Sequence, residues 1–75
     1  MGRVHRLTSS DVEKILEQNG FELVSVRGSH HKWRHAERRL QVVVPFHTGK
    51  TLPIGTLVAI MKGAEIPKSY WQVED

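Results

Sequence analysis

Three short runs of strand character follow one another between residues 21 and 45, and the connections between them are too short to cross a sheet. Residues 21–27 are rich in Phe, Leu and Val, residues 30–35 are short and polar around Trp33, and residues 39–45 carry Leu40, Val42, Val43 and Val44. A parallel pair needs a crossover of a dozen or more residues. Gly28-Ser29 is a turn signal and residues 36–38 form a second short connection, so each joins antiparallel neighbours. The chain is therefore committed to a three-stranded antiparallel meander.

The flanks read as helices. Ser10-Asp11-Val12-Glu13 matches a capping box, in which Ser10 accepts from the amide of residue 13 and Glu13 reaches back to the Ser10 amide. Val12, Ile15 and Leu16 follow at helical spacing and Gly20 supplies a left-handed stop, which predicts a helix over about residues 11–19. Residues 46–51 form a loop. Pro53 fits the first position of a second helix, whose stripe is Ile54, Leu57, Val58 and Met61 and whose end is Gly63. Residues 67–71 form one further helical turn, with Tyr70 or Trp71 packing back. The order helix-strand-strand-strand-helix is an α+β fold. Placing both helices on one sheet face buries both apolar stripes and leaves the other face to solvent.

A chain of 75 residues makes one domain that buries about 60% of its unfolded surface. Residues 1–7 read as a flexible basic lead-in and residues 8–75 as the single domain. Any chemistry must use a shallow face or an edge. The absence of cysteine excludes disulfides and thiolate metal sites. No apolar run approaches the roughly 20 residues of a membrane helix. Met1-Gly2-Arg3-Val4-His5 lacks the apolar stretch of a signal peptide, so a cytoplasmic location is expected.

The net charge of +3 is unevenly spread. Between residues 27 and 50, six basic residues face one acid, Glu37, and the rest of the chain is net acidic. Four of the five histidines lie in that same segment. A concentrated basic patch suits a polyanion such as nucleic acid. The plainer alternative is a solvated basic surface with no partner.

Side chains alternate along a strand, so His30, Lys32 and Arg34 share one face of the second strand and His31, Trp33 and His35 the other. Trp33 is the large apolar residue of that strand and belongs under the helices, which turns His30, Lys32 and Arg34 to the open face. The opposite assignment would expose Trp33 as a stacking platform for a base. Lys32 and Arg34 suit phosphate oxygens through charge-assisted hydrogen bonds. Histidine exchanges a proton near neutrality. Gly28, without a Cβ, lets a backbone approach closely.

Two other constellations are weaker. His31 and His35 share a face but stand roughly 13 Å apart along a strand, too far for one metal whose ligand bonds are about 2 Å. A site would need His47 from the loop, and no acid accompanies it at ligand spacing, so no metal or other cofactor is expected. Gly49-Lys50-Thr51 lacks the earlier glycine of a phosphate loop, because Val44 stands at that position. Lys50 is then a solvated charge or a secondary phosphate contact.

Taken in order, three stretches make the chain resemble the HicA toxins of bacterial and archaeal toxin–antitoxin pairs. They are Gly20-Phe21 with Arg27-Gly28-Ser29-His30-His31, then Val42-Val43-Val44-Pro45-Phe46-His47 with Gly49-Lys50, then Leu52-Pro53-Ile54-Gly55-Thr56-Leu57 leading to Ile60. The likeness spans about residues 8–70. It implies a fold like that of a double-stranded-RNA-binding domain and an endoribonuclease that cuts mRNA, with its catalytic histidine in a glycine-x-histidine turn. That motif maps onto Gly28, Ser29 and His30. His31 is the alternative carrier of the role, since some members place the histidine one position later. The alternation favours His30, which it groups with Lys32 and Arg34. The resemblance also implies a HicB-like antitoxin that covers the site.

These expectations combine into metal-independent cleavage by the 2′-hydroxyl of RNA itself. His30 would move the proton. Gly28, Ser29, Lys32, Arg34, His47 and Lys50 would hold the RNA, with His47 a candidate second proton carrier if its loop folds towards the turn. The main alternative is a non-catalytic double-stranded RNA-binding module that uses the same basic patch. A third possibility is a degenerate toxin kept as a protein-interaction partner.

Overall fold

The computed structural model describes residues 6–71. Helix α1 (Ser9–Gln18) leads into β1 (Glu22–Arg27), β2 (His30–His35) and β3 (Leu40–Pro45), followed by α2 (Ile54–Ala64) and a closing 3-10 turn (Lys68–Trp71). The sheet order is β1-β2-β3, antiparallel throughout, so β2 is the central strand. The expected α+β order is the observed one.

Helix α1 begins earlier than the Ser10 capping box predicts. Thr8 is the N-cap: its hydroxyl accepts from the Asp11 amide at 3.1 Å, and the Asp11 carboxylate accepts from the Thr8 amide at 3.0 Å. Two overlapping boxes compete in Thr8-Ser9-Ser10-Asp11-Val12-Glu13. The upstream box wins because it seats Ser9 in the interior and releases Glu13 for contacts with the sheet. At the other end the Gly20 amide donates to Glu17 O and the Phe21 amide to Leu16 O. These are the paired bonds of a Schellman stop, with Gly20 at φ +89° as its left-handed residue. Leu16 and Phe21 then meet in the core.

Both helices cover one sheet face. Trp33, Val42 and Val44 point into it and meet Val12 and Leu16 from α1 and Leu57, Ile60 and Ala64 from α2. The predicted α2 stripe is only partly right. Leu57 is buried, but Ile54 and Val58 are exposed and Met61 is half-buried. The sequence of α2 is apolar nearly all round, so periodicity does not single out a face. Close approach decides it, because a Cβ on Gly63 would stand 3.0 Å from the Val42 side chain. Gly63 therefore lies inside the helix rather than ending it. The left-handed residue after the helix is Glu65, at φ 51°. Pro53 is the N-cap rather than the first helical residue.

Trp71 closes the core completely and donates from Nε1 to Ile66 O at 3.2 Å, whereas Tyr70 is exposed. Of the expected lead-in, residues 1–5 lie outside the described residues. Leu7 is part of the core, and its carbonyl accepts from the Leu52 amide at 2.8 Å. An isolated bridge pairs Thr8 with Thr51 beside it. Strand β1 is an edge with a bulge between Leu23 and Ser25, and it leaves Leu23, Val24 and Val26 exposed. Among the described residues no helix is long and apolar enough to cross a membrane.

Candidate functional site

The two-residue turn Gly28-Ser29 sets the site. Arg27 pairs with His30 across it, and Gly28 holds a φ of +55° that a residue with a Cβ adopts at a cost. A glycine with positive φ at the first of two central positions is the pattern of a II′ hairpin, whose twist matches the strands it joins. His30 thus stands at the first position of the central strand, flanked by Arg27 of β1 and Pro45 of β3.

From that point β2 alternates. Trp33 is buried beneath the helices, and His30 and Arg34 are exposed on the opposite face with half-buried Lys32 between them. The registers place Ser25 and Val43 beside Lys32, and Glu22 and Gln41 beside Arg34. The open face therefore carries three cross-strand rows that are polar or charged apart from Val43 and Pro45, with Glu22 the one carboxylate among them. Ser25, Arg27, His30, Lys32 and Val43 line a shallow depression of about 260 Å³ in it. Its walls offer a hydroxyl, a guanidinium, an imidazole and an ammonium, but no carboxylate. The chemistry available is anion binding beside a group that can give or take a proton.

Arg27 and Ser25 are the residues that sequence reasoning missed. Their signal lay in the two-residue turn, which fixes Arg27 opposite His30. The same register runs on to Ser25, opposite Lys32, before the bulge at Val24 interrupts it. Arg34 lies on the same face but outside the depression, about 7 Å from Lys32 along the strand.

His47 and Lys50 are not brought beside His30 and Lys32. Together with Ser9, Thr51, Pro53 and Thr56 they border a separate hollow of about 300 Å³ at the start of α2. The His47 amide donates to Ser9 Oγ at 3.3 Å, and that hydroxyl donates to Pro45 O at 3.0 Å. The loop is nonetheless tied to the hairpin, since the Phe46 amide donates to Ser29 O at 2.6 Å.

The inward histidines are engaged elsewhere. Nδ1 of His31 lies 2.7 Å from Oε2 of Glu13, and the same oxygen accepts from Trp33 Nε1 at 2.9 Å. A carboxylate oxygen accepts, so the bond places a proton on His31 Nδ1. The His31 ring also stacks on Phe46, with centroids 4.7 Å apart and planes 8° from parallel. His35 packs edge-on against Phe21, and its Nδ1 accepts from the Arg38 amide. Among the described residues no three His, Asp or Glu side chains gather as metal ligands do.

The family described as the HicA toxin of bacterial toxin–antitoxin matches residues 9–66, which takes in α1, the whole sheet and α2. No curated protein matches the chain.

Proposed function

Because the chain belongs to the HicA toxins, and so to the toxin half of a toxin–antitoxin pair, we propose that it acts as an endoribonuclease on mRNA through His30. The observation that carries this is the shared depression: His30 is exposed in it, between Arg27 across the turn and Lys32 along the strand.

In the proposed reaction the 2′-hydroxyl of one nucleotide attacks the adjacent phosphorus. A bond forms from the 2′-oxygen to phosphorus, and the bond from phosphorus to the 5′-oxygen of the next nucleotide breaks. The products are a 2′,3′-cyclic phosphate and a free 5′-hydroxyl. A proton leaves the 2′-oxygen and one is delivered to the departing 5′-oxygen. His30 serves one of these transfers. Such a group contributes about 10²–10⁴ in rate. Arg27 and Lys32 face the phosphate and stabilise charge that builds on it, and Arg34 extends the track for the strand. Gly28 and Ser29 present backbone to the RNA without a bulky side chain.

No carboxylate lines the depression, so the step uses charge from side chains rather than a resident metal. DNA lacks the attacking hydroxyl and stays whole. The antitoxin of the pair, a HicB-like protein in the cytoplasm, silences the chain by covering this face. His47 and Lys50 line their own hollow and hold a more distant phosphate of the same RNA.

The test is cleavage of a labelled mRNA, and of DNA of the same sequence, by purified protein in a chelator. Wild type is expected to cut the RNA alone, and His30→Ala to lose about 10²–10⁴ of the rate. If His30→Ala cut as fast as wild type, the assignment would be wrong. RNA binding without cleavage by wild type would favour the non-catalytic binding module.

A further inference from the structure

Proton transfer at His30 works only if the turn that carries it is held still. We propose that Glu13, His31 and Phe46 form a positioning relay that runs from α1 to the Gly28-Ser29-His30 turn. The inference rests on the role given to His30 above.

One oxygen of Glu13 accepts from His31 at 2.7 Å and from Trp33 at 2.9 Å, so it pins two successive inward residues of β2. The pinned His31 ring lies flat on Phe46. The Phe46 amide in turn donates to the carbonyl of Ser29, inside the turn, at 2.6 Å. The chain around Phe46 is fixed as well, because Ser9 of α1 bonds Pro45 on one side and His47 on the other. Every link is a direct contact between neighbours, and both ends meet at His30: one through the peptide bond from His31, the other through Ser29.

Packing alone does not explain these residue types. An aliphatic side chain at position 31 would fill the space without placing a ring nitrogen and a half-buried carboxylate away from water. What the polar pair adds is direction. It fixes the ring plane of His31 and, through it, the backbone on which His30 is mounted. His31 faces away from the depression, so it touches no phosphate there and acts only through its neighbours. A misplacement of 1 Å at a reacting group costs about 100-fold in rate.

Four variants separate the links. Glu13→Met keeps the length and removes the acceptor, while Glu13→Gln keeps an acceptor oxygen. His31→Phe keeps the stack and removes the donor. Phe46→Leu removes the stack. Each is assayed well below its unfolding midpoint for kcat and KM on RNA. In parallel, NMR reads the order of the Ser29 and His30 amides and the exchange protection of the Phe46 amide. Glu13→Met, His31→Phe and Phe46→Leu are expected to lower kcat about 10- to 100-fold with KM within about twofold, and Glu13→Gln to recover most of the loss. The Phe46 amide should exchange faster in the three disabled variants and remain protected in Glu13→Gln. Folded variants with wild-type kcat and wild-type Phe46 protection would overturn the relay. A wild-type protein that never cuts RNA would overturn the role of His30 instead, and amide order in the turn would still decide whether the relay exists.

Discussion

Replacing Gly20 with alanine tests how α1 is joined to the sheet. Two penalties meet there. Gly20 sits at φ +89°, where a residue with a Cβ pays about 1–2 kcal/mol. The new methyl would also stand 2.8 Å from Nε2 of His35. That ring cannot simply swing aside, because it packs edge-on against Phe21 and accepts the Arg38 amide. Overpacking of this kind costs about 1–3 kcal/mol. Alanine stiffens the unfolded chain, which returns about 0.4–1 kcal/mol. The net loss is about 1–4.6 kcal/mol. A domain of this size holds about 4–11 kcal/mol in all, and each kcal/mol moves the midpoint by about 4–8 °C. Gly20→Ala should therefore melt at least about 4 °C below wild type. Gly28→Ala is the internal control: its φ is also positive, at +55°, but no atom lies within 4 Å of the added Cβ. It should lose only about 1 kcal/mol. Circular dichroism in heat and urea reads both. In a His35→Ala background the clash is gone, and Gly20→Ala should cost no more than Gly28→Ala does. An undiminished penalty in that background would refute the role given to the ring.

Three further outcomes follow from the geometry. Arg27→Ala and Lys32→Ala should each weaken RNA binding and flatten the dependence of log K on log salt by about 0.7, one phosphate contact on a single strand; an unchanged slope in a salt titration would remove that residue from the phosphate track. Trp71→Ala empties a fully buried site and should cost about 3–5 kcal/mol, measured by urea unfolding. Arg39 is held at φ 56° with an exposed side chain, so Arg39→Asn should stabilise the fold by about 0.5 kcal/mol, because asparagine tolerates that conformation, read as a small rise in melting midpoint.

The sheet was the most legible part of the chain. Strand β2 has the same bounds in prediction and structure because Trp33 alone fixes its parity, and a two-residue turn leaves little freedom in register. The helices were harder. Thr8 and Ser10 each head a box that satisfies local hydrogen bonding, and only the sheet's use of Glu13 separates them. The buried face of α2 depends on how closely Gly63 meets Val42, a tertiary fact absent from local pattern. At the site, alternation grouped His30, Lys32 and Arg34 on one face. It did not reach across strands to Arg27 and Ser25, whose placement needs the cross-strand register that the turn sets. Local sequence also brought His47 and Lys50 into the same basic segment, but the loop carries their side chains to a different hollow.

The irregularity at Val24 has a consequence for how this chain behaves among copies of itself. An outer strand with three bare aliphatic side chains is the kind of template on which proteins stack into fibres. The extra residue breaks the even spacing of outward amides and carbonyls that such stacking requires. The distortion that brings Glu22 beside Arg34 thus also makes the border of the sheet a poor match for a passing strand.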